Sequence, residues 1–180
     1  MSVDALAPLV VSFAMGVVAV YVVWRVLIVG GELRRNAQQD RAAADLAHRA
    51  DISLMELCAI VDDLRRRKSG PESGAPSLRA SADALRRYAE EAEAIARRNP
   101  GHEAGASLVA EIERAQRAVD LIEHGRQLML ERAVEHIGEG ETAVKRGYLN
   151  LVHAREAIRT RGEQIAREAD GDAGRWSRGG

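Results

Sequence analysis

The chain opens on a long apolar run. From Ala5 to Trp24 no residue is charged, and after Arg25 the apolar character resumes through Val26, Leu27, Ile28 and Val29. A helix of roughly 20 apolar residues is what crosses a hydrocarbon layer about 30 Å thick. The pattern therefore predicts a transmembrane helix over residues 8–29, preceded by a short segment, 1–7. Tyr21 and Trp24 stand near its end, where amphipathic rings favour the interface. Arg25 is close enough to that end to extend its guanidinium to the headgroups. A cleaved signal peptide needs a basic start, a short apolar core and a small-residue cleavage site. Here the only charge ahead of the run is Asp4 and the run is longer than a signal core, although Gly30-Gly31 offers a weak cleavage site. An uncleaved anchor fits better.

Past the run the pattern changes to helical periodicity over residues 32–169. Two stretches rich in Gly, Pro and Ser interrupt it, residues 68–76 and 99–105, the second opening on the helix stop Asn99-Pro100-Gly101. A weaker break lies at Gly138 and Gly140, and the Gly-rich tail, 170–180, reads as disordered. Four helices result, over 32–67, 78–98, 107–137 and 141–169, with Ser77 and Ser107 as N-caps. Each carries an apolar stripe at alternating spacings of three and four. The stripes are Leu54, Leu57, Val61 and Leu64; Leu78, Leu85, Tyr88, Ala92 and Ile95; Ile112, Ala115, Val119, Ile122, Met129 and Ala133; and Val144, Tyr148, Leu151, Ile158 and Ile165. The expected fold is all-α: one N-terminal transmembrane helix, then a helical bundle or coiled-coil-like region.

The last two stripes differ in register by one residue. Carried forward from Met129, the third stripe lands on His136, whereas the fourth requires Ile137. A turn at Gly138 and Gly140 absorbs the slip as a helical hairpin; a single long helix would have to absorb it internally. A hairpin turning near Glu139 sets Met129 level with Asn150. Two widened apolar patches would then coincide: Leu128, Met129 and Leu130 on one helix, and Leu149, Leu151 and Val152 on the other. Two helices alone need less apolar surface than that. Either the first two helices cover it, closing a four-helix bundle, or it is an interface with a protein partner or a second copy.

Composition supports helices. Aromatic residues make up 3% of the chain, too few for a β-sandwich, and there are four Pro. The formal net charge of -1 gives no overall pull toward nucleic acid, and the few aromatics are not interleaved with basic clusters. Basic residues flank one side of the run only: Arg25, Arg34, Arg35, Arg41 and Arg49 follow it, and no Lys or Arg precedes it. By the positive-inside rule the region after the run is cytoplasmic, in a single-pass cell-membrane protein with its N-terminus outside. Each basic residue near an anionic surface is worth about 1 kcal/mol, but Asp40, Asp45 and Asp51 interleave and weaken the effect.

Chemistry is hard to find. Cys58 is the single cysteine and sits among apolar neighbours, as a buried structural thiol would. The five histidines are scattered and none follows a Glu by three residues; Asp45 and His48 come nearest to that metal-binding spacing. Phosphate-loop, zinc-protease and nucleophile-elbow motifs are missing from the sequence. The expectation is a protein that is not an enzyme, with no cofactor, no metal and no small-molecule substrate. Its partners would be the lipid bilayer and a protein or second copy met by helix packing. It reads as a membrane-anchored interaction or scaffold protein. The alternative is a membrane-tethered signalling module that transmits changes in helix packing, with Gly30-Gly31 as its hinge.

Overall fold

The computed structural model describes residues 3–66, 70–72, 74–98, 103–131 and 134–176. They form four helices: α1 (Val3–Arg65), α2 (Ala75–Arg98), α3 (Glu103–Leu130) and α4 (Val134–Trp176). No strand occurs among the described residues, so the chain is all-α. It divides into two compact units, residues 1–38 and 39–180.

The first unit is the N-terminal part of α1. Its described side chains from Met15 to Val29 are exposed, Met15 and Val20 at 70% and Leu27 at 69%. The expected boundary between a helix ending at residue 29 and another starting at 32 is absent. Gly30 and Gly31 lie inside α1 as ordinary helix. Each glycine costs about 1 kcal/mol of helix propensity. Nucleating a second helix, at an equilibrium penalty near 10⁻³, costs about 4 kcal/mol. Continuing through both glycines is the cheaper solution.

The second unit is a four-helix bundle with up-down-up-down order. Arg49 meets Glu91, and Ser53 meets Tyr88, which sets α2 antiparallel to α1. Ala47 packs at Gly162, and Asp51 pairs with Arg155, which sets α4 antiparallel to α1. Gly105 sits against the backbone of Ala92 and Ala96, joining α2 to α3. The predicted stripes point inward: Leu54, Leu57, Val61 and Leu64 of α1, Leu78, Leu85, Ala92 and Ile95 of α2, Ile112, Ala115, Val119 and Ile122 of α3, and Val144, Leu151, Ile158 and Ile165 of α4 are buried. Tyr88, Met129 and Tyr148 are partly buried against this core, while Ala133 lies outside the described residues.

The hairpin between α3 and α4 is present, but its turn is not at Gly138 and Gly140. α3 ends at Leu130 and α4 begins at Val134, so both glycines are inside α4. Instead of turning the chain, Gly140 serves close packing. A Cβ built on Gly125 would lie 2.6 Å from the Gly140 carbonyl oxygen, and one built on Gly140 would lie 2.5 Å from the Gly125 oxygen. A Cβ on Gly147 would fall 2.5 Å from Ile122 Cγ1. Helices that approach this closely tolerate only glycine at the contact.

Other boundaries shift for related reasons. α2 starts at Ala75 rather than 78, with Pro76 in its first turn, where a missing N–H costs nothing; the Leu78 amide donates to the Gly74 carbonyl. Ser77 is therefore within the helix and not its cap. α3 starts at Glu103, so Ser107 is one turn inside, where its hydroxyl donates to the Ala104 carbonyl at 2.9 Å. The helix stop Asn99-Pro100-Gly101 lies outside the described residues, between α2 and α3. α4 continues to Trp176, well into the segment expected to be disordered; residues 177–180 lie outside the described residues.

The packing role of these glycines makes a paired prediction. Gly125→Ala should destabilise the bundle by about 2–3 kcal/mol through overpacking. Gly138, where an added Cβ would meet nothing within 4 Å, should accept alanine with a gain of up to about 1 kcal/mol. Urea unfolding of both variants checks this; equal destabilisation would restore Gly138 to a turn.

Candidate functional site

The hairpin's turn position decides what becomes of the six residues expected to form an interface. Ser107 accepts a hydrogen bond from Arg161, Gly147 packs at Ala118 and Ile122, and Gly140 packs at Met129. Met129 is thus level with Gly140, not with Asn150, a displacement of ten residues, or about 15 Å along the helix. The two widened patches do not coincide. Leu151 is fully buried and belongs to the core. Met129 packs against the core, and Leu128 and Leu130 are half-buried near the end of α3. Leu149 and Val152 alone of the six stand exposed, at 57% and 36%.

Two residues on α1 have the same character and were missed. Ile52 is 42% exposed and Met55 49%. The signal was available: both flank the Leu54–Leu57 stripe as extra apolar positions, the same pattern that marked Leu128 to Leu130 on α3. Among the described residues of the bundle, the large apolar side chains left exposed are Ile52, Met55, Leu149 and Val152. All four lie on α1 and α4, which pack side by side; the described residues of α2 and α3 contribute none.

Several charged groups of the bundle surface are engaged within the chain. Arg49 bridges to Glu91 at 2.6 Å and lies over the Tyr88 ring, and Arg65 lies 4.9 Å from the Tyr148 ring centroid. A groove of about 340 Å³ between α1 and α4 is floored by Ala47 and Gly162, with His48 at its rim and Asp51 already held by Arg155. An open depression of about 520 Å³ between α3 and α4 contains Glu111, Glu156 and Arg161. These are committed to Arg114, Arg159 and Ser107 respectively. No cluster of three or more His, Cys, Asp or Glu that could hold a metal ion occurs among the described residues. Cys58 is buried, and desolvation pushes its thiol up from the ordinary range, which keeps it protonated.

Arg126 is the one cation in the described core, at 4% exposure. Its guanidinium forks onto both carboxylate oxygens of Glu123 and donates a further bond of 3.0 Å to the Pro71 carbonyl. Those bonds tie the connection between α1 and α2 to α3. The hydrogen bond from Arg126 holds the Glu123 carboxyl below its ordinary range, against an opposing desolvation effect.

The flank of the apolar run is exposed throughout: Trp24, Arg25, Arg34 and Arg35 all face outward, and the Tyr21 and Trp24 rings sit 6.4 Å apart. By length and composition α1 has one stretch long and apolar enough to cross a membrane, with none of that stretch buried.

No family model, curated protein or solved structure matches the chain.

The Arg126–Glu123 contact gives a signed pH dependence. A carboxyl whose folded pKa is depressed contributes stability above its unfolded value, near 4.5, and loses it as pH falls through the lower folded value. Glu123→Gln should therefore cost about 2–3 kcal/mol at neutral pH, since it leaves a buried guanidinium without its counter-charge. The deficit should shrink as pH is lowered below that range. Thermal unfolding of both proteins from neutral to acid pH checks it; a deficit constant with pH would mean that packing, not charge, carries the effect.

Proposed function

We propose that the chain is a membrane-anchored helical interaction protein. Its apolar run crosses the cell membrane once, and its four-helix bundle is presented at the cytoplasmic face for partner binding or self-association. The observation that carries this reading is the exposure of the run. Large apolar side chains stand uncovered on every side of the helix, including Met15, Val18, Val20, Tyr21, Val23 and Leu27. A helix apolar all round is stable only inside protein or inside lipid. The Arg25, Arg34 and Arg35 flank supports a cytoplasmic bundle through the positive-inside rule. Support for an interaction role comes from the bundle itself: its grooves hold charged groups that are committed to one another, and its uncovered apolar side chains gather on two adjacent helices.

Membrane fractionation of the full chain tests the anchor. Wild type should stay with membranes after alkaline extraction. Val18→Arg combined with Val23→Arg places two like charges in the span at about 3 kcal/mol each, and should release the chain. A wild-type chain extracted as readily as the variant would defeat the anchored reading. The interaction role makes its own prediction: Leu149→Asp should keep helicity and membrane association while losing partner capture. Leu151→Asp, which buries a carboxylate in the core, should unfold the bundle. If Leu149→Asp unfolds as well, Leu149 is core and not interface.

A further inference from the structure

In the sequence, basic residues follow the apolar run and Asp40, Asp45 and Asp51 interleave with them. The structure separates the two signs. Asp40 is buried, at 5% exposure. Asp45 is bonded to Arg49 at 3.1 Å, and Asp51 to Arg155 at 2.7 Å. The bundle engages all three aspartates, and Arg49 with them, since it also holds Glu91.

Arg25, Arg34 and Arg35 are left. All three are exposed, and no ion pair among the described residues includes them. Glu32 is the one acid between Ala5 and Gln39, so residues 25–38, with three Arg against one Glu, carry a net charge of +2.

The positions of these arginines along α1 fit the headgroup layer. Val29 ends the apolar run, and Arg34 and Arg35 follow it by about 8 and 9 Å of helix. The polar layer on each side of the hydrocarbon is about 5–8 Å deep, and the potential of a charged surface extends about 8 Å further at physiological salt. Arg25 lies one turn before Val29 and extends its side chain back to the same layer. Arg25 and Arg34 are about 2.5 turns apart, so they point to opposite sides of the helix. A single bound molecule would need them on one side, whereas a ring of lipids around an emerging helix does not.

We propose that α1 gathers anionic phospholipids around itself where it leaves the bilayer, with Arg25, Arg34 and Arg35 donating to the lipid phosphate groups. This rests on the anchored reading above. A guanidinium offers a phosphate two parallel N–H donors, and such charged bonds are stronger than neutral ones. Zwitterionic lipids carry a phosphate as well, but their ammonium group cancels its charge. The preference is therefore for lipids of net negative charge.

The test uses Trp24, the neighbour of Arg25, as a fluorescent reporter in the full chain reconstituted into vesicles. Trp176→Phe removes the other tryptophan. Brominated phosphatidylglycerol and brominated phosphatidylcholine are compared as quenchers, each at the same fraction of the same lipid mixture. The anionic lipid should occupy the surroundings of Trp24 with a relative constant roughly fivefold above the neutral one. Salt at 1 M should bring that ratio toward one. Arg34→Gln with Arg35→Gln should do the same without salt; both positions are exposed, so the fold should hold. Arg87→Gln, at an exposed position on α2, should leave the ratio unchanged. Equal quenching by the two lipids, or a preference that survives both substitutions, would overturn the proposal. So would loss of the preference to inorganic phosphate beyond the effect of sodium chloride at equal ionic strength, which would mark a site for a free anion. Quenching by neither lipid would reject the anchor, and this site with it.

Discussion

The backbones of α3 and α4 touch where Gly125 and Gly140 face each other, and the register of the hairpin follows from that contact. No other pair of residues could bring two helices so close, because a single added carbon on either side meets a carbonyl oxygen. Once that level is fixed, Gly147 settles at Ile122 and Arg161 at Ser107. The inward positions of α4 are then determined: Val144, Leu151, Ile158 and Ile165 enter the core, and Leu149 and Val152 remain outside it. Which apolar side chains stay exposed is thus a by-product of how the interior closes.

Much of this was legible in the sequence. The periodic stripes identify the core well, because burial of an amphipathic face follows directly from spacing. Helix existence and the hairpin are read correctly for the same reason. What misleads is glycine. Gly30, Gly31, Gly138 and Gly140 look like punctuation, yet all four are helical. A glycine's two uses, freedom of the backbone and absence of a side chain, leave the same letter in the sequence. The connection that does occur, between Leu130 and Val134, carries neither Gly nor Pro in Glu131-Arg132-Ala133. Because the expected interface depended on the turn's position, the error passed straight into it: Leu128 and Leu149 were expected side by side, whereas about 12 Å of helix separates their levels. Ile52 and Met55 escape notice because they flank a stripe whose own spacing already accounts for a buried face.

The arginines divide the labour on this bundle. Arg49, Arg155 and Arg161 each reach from one helix to a polar group on the next, and Arg126 reaches a backbone carbonyl in a connection. Such contacts add little net energy at the surface. They do reward one arrangement of helices over its alternatives, which matters in a chain whose apolar stripes are similar enough to pair in more than one way. Arg34, Arg35, Lys145 and Arg146 are exposed.

Alanine is the commonest residue among the described buried apolar positions, ahead of leucine. Alanine loses no side-chain rotamer freedom on burial but removes little apolar area from water. An interior of this kind gains less from hydration, and that gain sets the heat capacity of unfolding. The stability of the bundle therefore bends gently with temperature. Its optimum should be broad, with much the same margin over a wide span of temperature.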